Sequence, residues 1–177
     1  MDNISEEDFK NWSEFESMAI RKLDDYGLCQ NFIGLAINPS FQERERISVS
    51  NGKNEFTWTY AVWDREANYK RFITSRDERL KIKFGKSTPE IKIIKGVVDK
   101  SFYEETEKQL ENLKLKALVN IDSFGCDGTD FTIFIGGFYR KSSFSWWENL
   151  PDEWKDLEIV FKNLYNNLEI ARSKCKE

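Results

Sequence analysis

The stretch at residues 46–63, RISVSNGKNEFTWTYAVW, constrains the fold of this chain more than any other. Two runs that alternate with period two flank Asn51-Gly52, and an Asn-Gly pair suits the positive φ at both centres of a tight hairpin turn. A two-residue turn here places Ile47 opposite Phe56 and Val49 opposite Asn54. It sends Phe56, Trp58, Tyr60 and Val62 to one face, and Glu55, Thr57, Thr59, Ala61 and Trp63 to the other. A chain built around such a hairpin carries antiparallel β-structure.

Helical periodicity precedes and follows it. Residues 5–26 read as a helix: Ser5 and Asp8 have capping-box-like spacing, Ile4 can staple onto the first turn, and Glu6 and Glu7 suit the positive end of the dipole. Phe9, Trp12, Phe15, Ala19, Leu23 and Tyr26 form one apolar stripe, with Gly27 as a stop. Residues 31–38 read as a strand ending at Pro39. From 64 to 86 the pattern loosens to a short helical turn and irregular chain. Residues 90–98 (EIKIIKGVV) read as a strand, and 101–115 as a helix with Ser101 and Glu104 at capping-box spacing. Strands follow at 116–121, 131–135 and 141–147, the last two pairing around Gly136-Gly137 with Ile133 and Phe144 inward. Pro151 opens a terminal helix to about Ser173, with the stripe Leu157, Phe161, Leu164, Leu168, Ala171. The expected fold is α+β: one domain with a mainly antiparallel sheet packed with about three helices, the C-terminal one long.

Composition narrows the chemistry. The chain has 27 Lys+Arg, 31 Asp+Glu and no histidine. Without histidine there is no Ser-His-Asp or Cys-His catalysis and no His-ligated zinc. Cys29, Cys126 and Cys175 are odd in number and form no CxxC, which fits reduced thiols rather than a disulfide framework. Cys126 as a nucleophile would need a carboxylate, an amine or a tyrosine as its base. The acidic N-terminus lacks a signal-peptide pattern and no apolar run is long enough to span a membrane, so a cytoplasmic location is expected. GxGxxG, P-loop and GxSxG patterns are absent, and no cofactor is implied.

Three constellations remain. Asp122, Asp127 and Asp130 surround Gly125 and Gly128. A turn held by Asx-type hydrogen bonds suits them better than a ligand or divalent-ion site, and the EF-hand spacing is not met. Arg65, Lys70, Arg71, Arg76, Arg79, Lys81, Lys83 and Lys86 face only Glu66, Asp77 and Glu78 in the same stretch. A solvated basic face or an acidic partner suits this better than nucleic acid, since the chain is acidic overall and carries no nucleic-acid motif. Finally, Trp146, Trp147, Glu148, Asp152 and Glu153 combine tryptophans with carboxylates, the composition of a protein-binding hot spot. Adjacent tryptophans on a strand point to opposite faces, so one packs inward while the other is available.

The C-terminal third, with Asp127-Gly128-Thr129, the strand FTIFIGG and the run FSWWENLPDEW, resembles small uncharacterised bacterial proteins. These share a D-G-T turn, a W-W pair and a P-x-x-W helix start. Some are similar to immunity proteins that bind and neutralise a toxin. The absence of recognised catalytic machinery, the uneven charge and the aromatic-acidic block make a non-enzymatic module the expected function, with another protein as its partner. The resemblance implies an immunity-type inhibitor as its form. The alternative is a small-ligand or metal-dependent domain using Asp122, Asp127 and Asp130.

Overall fold

The computed structural model describes residues 4–25, 31–40, 42–52, 55–116, 127–137 and 140–175. The elements run α1 (Glu6–Asp25), β1 (Asn31–Pro39), β2 (Arg44–Asn51), β3 (Phe56–Trp63), α2 (Arg65–Thr74), α3 (Arg76–Lys83), β4 (Lys92–Val97), α4 (Lys100–Glu111), β5 (Thr129–Gly137), β6 (Arg140–Trp147) and α5 (Glu158–Cys175). A 3₁₀ segment over Asp152–Leu157 leads into α5. The six strands form one antiparallel sheet in the order β4-β3-β2-β1-β5-β6. The fold is therefore α+β.

Side-chain alternation gives this sheet two faces, and helices pack on each. On the front lie Ile33, Leu35 and Ile37 of β1, Ile47 and Val49 of β2, Trp58, Tyr60 and Val62 of β3, and Ile133 of β5. Val160, Leu164, Leu168 and Ala171 of α5 and Tyr103 of α4 close over them. The α5 helix lies across the strands. Phe161 near its start meets Phe131 and Trp146 on β5 and β6, while Lys174 near its end lies over Trp58 on β3. On the back, Ala61 and Trp63 pack against Trp12, Phe15, Ala19 and Leu23 of α1, Phe72 of α2 and Ile82 of α3.

The expected capping box of α1 forms. The Ser5 N–H donates to Asp8 Oδ2 at 2.9 Å and the Asp8 N–H to Ser5 Oγ at 3.1 Å. The stripe is buried at Trp12, Phe15, Ala19 and Leu23, whereas Phe9 stays half exposed; Tyr26 and Gly27 lie outside the described residues.

The hairpin differs from expectation in register. Ile47 pairs with Tyr60, Val49 with Trp58 and Asn51 with Phe56. The connection runs from Gly52 to Glu55, closed by the Gly52 N–H donating to Glu55 O at 3.0 Å. The longer loop gives Val49 an aromatic partner in place of Asn54, a better cross-strand pair. The slip is four residues, an even number, so every side chain keeps its expected face.

Between 64 and 86 the chain is helical rather than irregular. Asp64 caps α2 through a 2.8 Å bond from the Ala67 N–H, and Ser75 caps α3 through a 3.2 Å bond from the Glu78 N–H. Helix α4 starts at Lys100 with Asp99 as N-cap, so the Ser101–Glu104 box does not form. Glu104 instead pairs with Lys100 one turn back at 2.9 Å. The strand expected at 116–121 lies outside the described residues apart from Lys116.

Two glycines admit rings across the β1–β5 pair. A Cβ on Gly34 would lie 2.0 Å from Phe134 Cζ and 2.5 Å from Ile47 O, and one on Gly136 would lie 2.2 Å from Phe32 Cζ. Each ring therefore rests on the bare backbone of the neighbouring strand, which fixes the pairing.

Candidate functional site

Because α5 crosses the sheet instead of running along it, one end of the front face stays uncovered. A groove of about 1270 Å³ opens there. Ile37, Tyr60, Val62 and Phe131 form its floor, and Phe161, Tyr165, Glu169 and Arg172 on one flank of α5 form a wall. Gln42, Glu43, Asp64, Glu66, Lys70 and Lys92 line the rim. An apolar floor with a charged rim is the usual anatomy of a recognition surface.

At the inner end Glu45 is 6% exposed on a strand whose next front-facing residues are the buried Ile47 and Val49. A buried carboxylate needs both a countercharge and hydrogen bonds. Arg172 supplies the charge, donating from Nε to Glu45 Oε1 at 2.8 Å and Oε2 at 3.0 Å, with Nη2 also on Oε2. The Tyr60 hydroxyl donates to Oε1 at 2.5 Å. Arg172 reaches Glu169 through Nη1 and lies 5.8 Å from the Tyr165 ring centroid. Hydrogen bonding to Glu45 pushes the Arg172 pKa above its ordinary value, against the opposing effect of burial. Both Glu45 oxygens are thus occupied by a fixed cation and a phenol. The cluster acts as a latch holding the end of α5 to the sheet.

The lip of the groove is built from the motif residues of the C-terminal third. The Ser40 N–H and hydroxyl both donate to Gly128 O, at 2.9 and 3.0 Å, and the Gly128 N–H donates back to Ser40 Oγ at 3.2 Å. Glu148, at φ 54°, accepts from the Thr129 N–H at 2.5 Å. The Trp147 ring lies against Gly128, where a Cβ would come within 2.6 Å of it. The D-G-T turn and the tryptophan-glutamate run therefore clamp each other and fix Thr129 at the groove edge.

Each residue singled out from sequence has a definite place. Trp146 is 3% exposed in the front core, stacked on Phe131, so its ring is not available at the surface. Trp147 points to the back and is half-buried. Glu148, Asp152 and Glu153 are exposed, with Asp152 paired to Lys155 at 2.8 Å and Glu153 3.7 Å from Lys116. Asp122 lies outside the described residues. Asp127 is exposed and Asp130 half-buried. Burial pushes the Asp130 carboxyl above its ordinary pKa, while a hydrogen bond with Asn38 and the charge of Arg44 act the other way. Among the described residues, no three carboxylates or thiols converge as metal ligands.

Much of the basic stretch is engaged inside the molecule. Arg65 pairs with Glu16 at 2.6 Å, Lys83 with Glu7 at 3.1 Å and Lys81 with Asp77 at 2.7 Å. Arg79 is buried and donates to the carbonyls of Phe72 and Ile73. These charges bind α1, α2 and α3 to one another. No helix among the described residues is long and apolar enough to cross a membrane.

Sequence reasoning passed over Glu45, Tyr60 and Arg172. The available signal was a charged residue, Glu45, at a core-facing position of an alternating strand, together with Arg172 four residues after Leu168 on the buried stripe. Comparison with protein-family models, curated proteins and solved structures finds no match.

Proposed function

We propose that this chain is a non-catalytic protein-binding module whose front groove receives a segment of a partner protein. One observation carries the reading: the groove's volume of about 1270 Å³ exceeds the roughly 300–1,000 Å³ of small-molecule pockets. The one deeply buried carboxylate at the groove is locked by Arg172 and Tyr60, which suits a scaffold better than an acid–base catalyst. The C-terminal resemblance makes an immunity-type inhibitor, with a toxin as partner, the form of module to test first.

The test places a photo-crosslinking residue at Ala67 in the groove and, in a second variant, at Glu105 on the far side of the front face. Irradiation in the native cell should give a discrete protein adduct from position 67 and none from 105. A protein adduct from 105 alone would overturn the reading. So would a low-mass adduct at 67 with no protein attached.

A second reading, a small-ligand or metal-dependent domain using Asp122, Asp127 and Asp130, draws on the upward-shifted, half-buried carboxyl of Asp130. Perturbed acids cluster at functional sites. Titration with Mg²⁺, Ca²⁺, Mn²⁺ and Zn²⁺, comparing the chain with its Asp130→Asn variant, tests the metal-dependent form. Binding that disappears in the variant supports it, and equal responses count against it.

A further inference from the structure

Strand β4 lies at the margin of the sheet, with β3 on one side and no strand on the other. Its register with β3 runs from Thr57↔Val97 to Val62↔Lys92, and the Val98 N–H donates to Phe56 O at 3.0 Å. In an antiparallel pair, residues alternate between those bonded to the neighbour and those turned away. Val98 is bonded, so Lys92, Ile94 and Gly96 also direct their N–H and C=O groups at β3. Those of Ile93, Lys95 and Val97 point out of the sheet. One edge thus offers the half-ladder that a further strand would complete.

The side chains of these same three residues lie on the back face, opposite Ala61, Thr59 and Thr57. Ile93 is 37% exposed and Val97 70% exposed, although both are apolar and β-branched. Lys95 stands between them, exposed and in none of the ion pairs among the described residues. Alternate positions of the edge therefore read apolar, cationic, apolar. A twofold pairing of two β4 edges that matches Ile93 with Val97 sets Lys95 against its own copy. Like charges directly opposite destabilise a pair, and an edge lysine discourages self-association for that reason. A carboxylate in the same place replaces the repulsion with attraction.

We infer that β4 accepts an extended segment of another protein as an added strand. That segment carries Asp or Glu opposite Lys95, between two β-branched or aromatic residues that cover Ile93 and Val97. Backbone hydrogen bonds hold it and the alternate side chains select it. This edge is independent of the groove: Lys92 lines the groove rim, but Ile93, Lys95 and Val97 face the other side of the sheet.

The test titrates the full chain with the end-capped peptide Thr-Val-Thr-Glu-Thr-Val-Thr, read by backbone amide chemical shifts. Two further peptides accompany it, one with Lys in place of Glu, the other N-methylated at both valines and the glutamate. The Glu peptide should shift the amides of Ile93, Lys95 and Val97, and the Lys peptide should bind about fivefold more weakly. Methylation, which removes the donors an added strand needs, should abolish binding. Lys95→Glu, an exposed change that leaves the bonds to β3 in place, should reverse the preference between the Glu and Lys peptides. No response of β4 to the Glu peptide at millimolar concentration, undiminished binding of the methylated peptide, or an unchanged preference in Lys95→Glu would each overturn the proposal. Shifts centred on Phe131 and Phe161 with β4 unmoved would place the peptide in the groove and overturn it too. So would β4 shifts that grow with protein concentration alone, which would assign the edge to a second copy of the chain.

Discussion

The two faces of the sheet are closed differently. The front is a mixed aliphatic and aromatic layer spanned by one long helix, and the end of that helix is secured by the Glu45–Arg172–Tyr60 latch. The back is an aromatic cluster, with Trp12 stacked on Trp63 at 6.3 Å and tilted against Phe72 at 5.2 Å, gathered by the three helices α1, α2 and α3. The Trp12 and Trp63 indole N–H groups are buried without hydrogen-bond partners among the described residues. Ring packing fills the back, with Arg65–Glu16 and Lys83–Glu7 tying its helices to one another, while on the front a charged contact at the buried Glu45 pins α5 to the sheet. A directional contact fixes where a helix ends, and that placement leaves part of the front face open.

Four substitutions put that contrast to the test. Trp63→Ala, at the centre of the back cluster, should have the largest effect, a loss of about 4 kcal/mol in urea denaturation, because a fully buried ring leaves a cavity that rigid neighbours cannot fill. Arg172→Ala should cost about 3 kcal/mol, since it strands a buried carboxylate; the side chain is 28% exposed, which places it below the back-face change. A reversal of that order would mean the latch, not the aromatic cluster, dominates stability. Gly34→Ala should cost about 2 kcal/mol through overpacking against Phe134 and the Ile47 carbonyl, and Phe134→Ala in the same chain should relieve only the part due to the ring, since the Ile47 carbonyl stays 2.5 Å from the added methyl group.

Asp130→Asn should have the smallest effect, and its sign depends on pH. The Asp130 carboxyl titrates above its unfolded value because of burial. Its charged form therefore costs stability at neutral pH, and the cost disappears as pH falls through the raised folded value toward the unfolded one. The variant should be slightly more stable than the parent at pH 7 and indistinguishable at strongly acid pH. A gain that grows on acidification would contradict the burial argument.

Local signals carried most of the fold. The α1 cap, the alternation of β3 and the stripe of Leu157, Leu164, Leu168 and Ala171 are interactions between residues close in sequence, and each was readable. Helices α2 and α3 were passed over although Asp64 and the Ser75–Glu78 spacing mark their starts. Their stripes are short, and buried Asn68 and Arg79 interrupt the apolar pattern. The hairpin register was missed because Asn51-Gly52 is a strong turn signal locally, but Trp58 and Tyr60 gain better partners four residues along. The groove was not legible: its floor, wall and rim come from separate elements, and its latch joins Glu45 to Arg172, 127 residues apart. No local period encodes such a meeting.

The interior position of the β1–β5 pair has a consequence for how quickly this protein forms. Strands β1, β2 and β3 are joined by short connections and can zip together locally. The remaining edge of β1 must then wait for a strand nearly a hundred residues downstream in the chain, with Phe134 and Phe32 finding Gly34 and Gly136 as they dock. Closing so long a loop is entropically costly before any contact rewards it, and sheets rich in such pairings fold slowly. A chain in which β5 has yet to dock would leave the β1 edge, Phe32 to Ile37, open to pairing with any other strand in solution. Refolding yield should therefore fall as protein concentration rises, with the β1 edge as the point of misassociation.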